Sequence, residues 1–164
     1  MYNRDEITPW VIGPVSLYAI VRNGVCLADE FLLHLELADK RSALLLIDFI
    51  QNMSMLEYVS QVLLRPELPR YGIFAMYSRN ALTGEPYNPA RLLCSYVSAS
   101  NRIIVVGAGF IKTQNESIQD NVDAYYEAMY LADIMKELNA RIDNDEIQIA
   151  GSELYSKFPD SFVF

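Results

Sequence analysis

The chain has 164 residues, a net charge of −8 and 52% hydrophobic side chains. That length fits one domain, and so large an apolar share excludes a disordered chain. So acidic a balance does not look like a free-standing nucleic-acid binder, because phosphate contacts supply most of the affinity of such proteins.

The charge is unevenly spread. Residues 1–64 carry 4 basic and 8 acidic side chains, residues 65–112 carry 6 and 2, and residues 113–164 carry 3 and 11. A positive middle block therefore sits between two acidic flanks. Residues 9–21 are apolar enough to suggest a secretory leader, but Asp5 and Glu6 precede them and Gly13-Pro14 breaks them. The longest other apolar run, residues 103–111, is too short to cross a bilayer. The expectation is a cytoplasmic protein with no membrane segment.

In chain order, residues 15–22 are rich in β-branched and aromatic side chains and end at the turn signal Asn23-Gly24, which predicts a strand. Leu27, Phe31, His34 and Leu35 recur at helical spacing, with Asp29 and Glu30 in the first turn, where the helix dipole favours them. Asp39 is placed to cap a second helix through Ala43, Leu46 and Ile50. Helical character stops at Pro66, and Pro69 confirms the break. Residues 71–77 read as a strand and residues 78–89 as a loop around Gly84, Pro86 and Pro89. Residues 90–97, a turn at 98–101 and residues 102–107 make a β-hairpin. From near Ser117, Ala124, Ala128, Leu131, Met135 and Leu138 step by three or four and predict an amphipathic helix on the sheet. The expected fold class is α+β: a small antiparallel sheet with N-terminal helices and a C-terminal helix packed on it. Residues 1–142 form the domain. Residues 143–164 form an acidic tail, either pairing as an edge strand near residues 147–149 or staying loose.

The common catalytic signatures GxGxxG, GxxxxGK[ST], HExxH, CxxC and GxSxG are absent from the sequence. Cys26 and Cys94 are far apart, lack metal-ligand spacing and are expected to be reduced. The single histidine, His34, excludes a histidine-based metal site and reads as a partly buried structural residue. No cofactor is expected.

One segment is informative. Residues 90–114 read ARLLCSYVSASNRIIVVGAGFIKTQ. Arg91 opens a strand, Ser98-Ala99-Ser100-Asn101 makes the turn, Ile103-Ile104-Val105-Val106 forms the next strand, and Gly109-Phe110-Ile111-Lys112-Thr113-Gln114 leads into the last helix. This pattern resembles the C-terminal half of the RelE/HigB-like toxins of toxin–antitoxin modules and their phage-borne relatives. The order of strand, helix pair and Gly72-Ile73-Phe74 strand upstream extends the resemblance over residues 15–140.

The resemblance implies an mRNA endoribonuclease, in which the RNA 2′-hydroxyl attacks the adjacent phosphorus and the 5′ oxygen leaves. A protein assists by removing the 2′ proton, neutralising the phosphorane and protonating the leaving group. Arg91 becomes the candidate phosphate clamp, because a guanidinium fork meets phosphate oxygens in bidentate fashion. Lys112 becomes the candidate charge stabiliser or acid. Gln114 would bind sugar or base, Tyr77 and Tyr96 would stack on bases, and Arg70, Arg79 and Arg102 would attract phosphates. The implied partners are an antitoxin-like protein and mRNA on the ribosome, and a homodimer stays open.

The chain also departs from the family pattern. Ala75-Met76-Tyr77 stands where the family carries a Glu-Leu-Arg-type triplet, and Ile111-Lys112 where it carries a lysine pair. These departures motivate an alternative, a catalytically degenerate toxin fold that binds a protein partner. The charge partition motivates another, in which residues 143–146 or Glu153 cover the basic block.

Overall fold

The structure is a computed structural model that describes residues 4–77, 89–112 and 117–164. The chain opens with β1 (Asp5–Val11), which folds back on β2 (Ser16–Arg22). A tight turn with Asn23 and Gly24 at positive φ leads to the short β3 (Val25–Cys26). Next come α1 (Leu27–Ala38) and α2 (Lys40–Ser54), then β4 (Arg65–Leu68), β5 (Ile73–Met76), β6 (Ala90–Tyr96) and β7 (Ile103–Ile111). The helix α3 (Val122–Asp143) and a small hairpin, β8 (Gln148–Ala150) with β9 (Glu153–Tyr155), complete the chain. Asp39 caps α2 through the Ser42 N–H, as its position in the sequence suggests, and Asn121 caps α3 through the Ala124 N–H.

The main sheet has seven strands, with β3 paired to β2 and the others in the order β1-β2-β7-β6-β5-β4. All pairs are antiparallel except β2 and β7. The chain leaves β2, crosses one face as α1 and α2, starts β4 at the far edge and returns by meander to β7 beside β2. The fold is thus α+β, but the sheet is mixed and larger than expected. Three strands of this sheet are unforeseen: the short β3, and β1 and β4, which contain Pro9 and Pro66 and form the two edges, where a missing N–H costs no ladder bond.

Both faces of the sheet are covered. Leu17, Ala19, Phe74, Met76, Leu92, Cys94, Ile104 and Val106 pack with Ala28, Leu35, Leu46 and Ile50 of α1 and α2. Tyr18, Ile20, Ile73, Leu93, Ile103, Val105 and Phe110 pack with Ala128, Leu131 and Leu138 of α3. This double coverage is why β6 and β7 read as nearly unbroken apolar runs and not as an alternation.

The β6–β7 register slips: Leu92 faces Gly109 while Cys94 faces Val106, so β7 carries one extra residue there. The bulge switches the faces of the strand. Gly107 lies under Leu131 of α3, whereas Gly109 lies against Phe31 of α1. A Cβ on Gly109 would overlap the Phe31 ring, so any larger residue there requires that ring to move. Phe110 is thereby aimed at the α3 side, opposite Arg91.

Three expectations change. His34 is exposed, because α1 turns Leu35 and Ala28 inward instead. Of the two courses open to residues 143–164, strand pairing is the one found, as β8 with β9 and not with the main sheet, and the segment is not loose, since Ile147 and Leu154 are buried and the Leu154 N–H donates to the Tyr18 hydroxyl at 2.8 Å. Arg141 Nη1 donates to the Ser161 and Val163 carbonyls, its guanidinium lies 4.2 Å from the Phe164 ring, and Val163 bridges to Glu6 on the β1 edge. The tail therefore docks on the β1 side of the sheet and does not cover the positive block near the β4 edge. Cys26 and Cys94 are free thiols. Among the described residues, no helix is long and apolar enough to cross a membrane.

Candidate functional site

Strand alternation builds a charged cluster at one end of the sheet. On β6, Leu92 and Cys94 point to the α1–α2 side, so Arg91, Leu93 and Ser95 point to the α3 side. The bulge in β7 puts Phe110 on that side too, and Lys112 follows two residues later, its backbone N–H donating to the Pro89 carbonyl at 2.8 Å. At the edge, β4 pairs Arg65 with Ala75 and is itself irregular between Pro66 and Leu68. Glu67 falls in that irregularity, and its side chain is only 3% exposed.

Glu67 is the centre of the cluster. Arg65 Nε stands 3.4 Å from its Oε1, which accepts no hydrogen bond among the described residues. Burial pushes its carboxyl above the usual range, while Lys112, Arg65 and Arg91 pull it down, and burial prevails. Arg91 is 3% exposed. Its Nη1 donates to the Ala90 carbonyl at 2.9 Å, and its guanidinium stands 5.0 Å over the Tyr77 ring. Burial and Arg65 pull Arg91 below its ordinary value, against Glu67 and Tyr77. Tyr77 is buried and also packs on Phe49 of α2, ring centres 6.5 Å apart.

The structure thus brings Arg91, Lys112 and Tyr77 together and adds Arg65 and Glu67. It separates the others. Arg70 lies in the turn between β4 and β5, its guanidinium 5.8 Å from the Tyr71 ring, at the opposite end of β5 from Tyr77. Arg102 lies at the β6–β7 turn and donates from Nε to the Pro14 carbonyl at 3.2 Å. Tyr96 points to the other face of the sheet, edge-on to Phe74 with ring centres 5.7 Å apart. Burial pushes its hydroxyl up, and that oxygen finds no hydrogen-bond partner among the described residues. Arg79 and Gln114 lie outside the described residues, as does the loop expected at 78–89 apart from Pro89.

Sequence reasoning missed Glu67 and Arg65. Glu67 stands between Pro66 and Pro69 in what reads as a helix stop, and only strand pairing carries it under three cations. The available signal was composition: it is one of only two acids in the positive block.

Chemically, the cluster offers a buried carboxylate with a raised affinity for its proton, two partly exposed cations (Arg65 and Lys112) and one buried cation (Arg91). Among the described residues no group of three His, Cys, Asp or Glu side chains is arranged to hold a metal. Comparison with family models, with curated proteins and with solved structures finds no match to this chain.

Proposed function

We propose that the chain is a ribonuclease of the RelE/HigB-like kind, cleaving RNA by attack of a 2′-hydroxyl on the adjacent phosphate. The observation that carries the reading is the buried Glu67 carboxylate held among Arg65, Arg91 and Lys112. The order of β2, the helix pair, β5 to β7 and α3 supports it, because the resemblance implies that order, with β1, β3 and β4 additional to it. In this reading Glu67 accepts the 2′ proton as the 2′ oxygen bonds to phosphorus. Arg65 and Lys112 neutralise the charge that grows on the phosphoryl oxygens. The bond from phosphorus to the 5′ oxygen breaks, and the Lys112 ammonium protonates that oxygen. The products are a 2′,3′-cyclic phosphate and a 5′-hydroxyl. Arg91, as buried as the Glu67 side chain, acts as a positioning residue through its charge on Glu67.

The test is incubation of the purified chain with single-stranded RNA, with the new ends identified chemically. Cyclic phosphate ends are expected, and Glu67→Gln or Lys112→Ala should each slow their formation by about a hundredfold or more. Inducing the chain in bacteria should arrest growth, and the same substitutions should relieve the arrest. RNA left intact by the wild-type chain both as a free strand and on translating ribosomes overturns the reading.

A second reading, a protein-binding module on a degenerate toxin fold, draws on a different observation. Leu33, Leu37 and Leu44 of α1 and α2 are 57%, 81% and 51% exposed. Such a stripe suits an antitoxin-like partner. Intact RNA together with a stable complex that Leu37→Glu abolishes would favour it.

A further inference from the structure

The α3 face of the sheet carries a second feature that the cleavage chemistry does not use. A cavity of about 500 Å³ opens between α3 and the ends of β5 and β6, within the range of small-ligand sites. Its walls are of three kinds. Tyr71 contributes an aromatic ring that is 46% exposed, with the Arg70 guanidinium 5.8 Å from its centre. Met129 and Met135 contribute polarisable apolar surface. Asp133 and Lys136, both exposed on α3, contribute an acceptor and a cationic donor.

The position matters as much as the lining. Ser95 borders the cavity and donates from Oγ to the Gly72 carbonyl at 2.8 Å. It shares its face of β6 with Arg91, four residues or about 13 Å away, but α3 covers that face at Leu93 between them, so a strand joining the two sites runs over the surface and not along β6. A short stretch of single-stranded nucleic acid spans that distance. Aromatic faces hold unstacked bases, and neighbouring cations hold the phosphates that join them.

We propose that this cavity is a base subsite: it takes one unpaired base of a single-stranded RNA whose backbone continues to Lys112 and Arg65. The base stacks on Tyr71, its edge meets Asp133, and Arg70 and Lys136 face the adjoining phosphates. This inference rests on the ribonuclease reading for its substrate class, and it assigns the sequence preference of that reaction to Tyr71 and Asp133.

The experiment measures binding apart from cleavage. Short 2′-fluoro RNA oligomers of each of the four bases lack the attacking hydroxyl and are titrated against the full chain by fluorescence anisotropy. One base should bind best, Tyr71→Ala should weaken binding about tenfold, and Tyr71→Phe should retain it. Arg70→Ala, at an exposed turn, serves as a second variant and should weaken all four oligomers alike. If no oligomer binds, or if Tyr71→Ala and Arg70→Ala bind as the wild type does, the subsite is refuted. Binding that depends on Tyr71 in a chain that leaves ordinary RNA intact would keep the subsite and overturn the ribonuclease reading. Cleavage whose base preference survives Tyr71→Ala would do the reverse.

Discussion

Glu67 shows what a single side chain owes to its surroundings. In sequence it is an acid between two prolines, a setting that suggests a solvated turn. In the fold it is buried on an edge strand, with Arg65 beside it and Arg91 and Lys112 within electrostatic reach. Three cations would ordinarily hold a carboxyl low, yet burial outweighs them and its pKa rises. The folded chain therefore holds this proton more tightly than the unfolded chain. The stability it contributes is complete below the ordinary carboxylate range and is lost as pH rises through the raised value. Urea unfolding of wild type and Glu67→Gln across pH 3 to 8 should show this. The wild type should lose stability relative to the variant as pH rises through that window, and parallel curves would mean that the carboxyl is not perturbed. Arg91 carries the complementary lesson. Its place at the head of a strand was legible, but its depth was not, because burial depends on Tyr77 and Glu67 arriving from two other strands.

At the scale of elements, legibility followed the strength of the local pattern. The helices α1 and α3 and the strands β2, β6 and β7 carry periodic or continuous apolar runs and lie near where their residues suggested, although β7 runs on to Ile111, past the expected end at residue 107. The strands β1 and β4 were obscured by Pro9 and Pro66, which break an interior strand but are tolerated on an edge. The β7 bulge was equally hidden, since no sequence rule says which of Gly107 and Gly109 will face which helix. Gly109 is where that arrangement is most exposed to test. A methyl group there would enter the Phe31 ring, which ties α1 to β7. Gly109→Ala should cost about 1–3 kcal/mol in chemical denaturation, the usual penalty for overpacking. Combining it with Phe31→Ala should cost less than the two single changes added together, because the second removes the obstacle that the first meets. Simple additivity would place the strain elsewhere.

For the molecule as a whole, the question is how a chain of net charge −8 could hold a polyanion. The fold answers by separation. The excess acid lies in residues 1–64 and 113–164, and the tail docks at the β1 edge. The cations lie toward β4, β6 and the end of β7. On the reading proposed above, Arg65, Lys112, Arg70 and Lys136 are the groups that meet phosphates, and each phosphate neutralised on a single strand contributes about −0.7 to the slope of log affinity against log salt. Four such contacts set a slope of about −3. The surrounding acid works against this, because salt also screens its repulsion of RNA, a gain that offsets part of the loss. The measured slope for a non-cleavable single strand should therefore lie between 0 and about −3. Replacing Lys112 with Ala should flatten it by about 0.7, and Lys136→Ala should do the same. A slope steeper than −3 would require more basic contacts than this face provides. The RNA would then lie on a different surface, and both the cluster around Glu67 and the cavity beside Tyr71 would lose their assigned roles together.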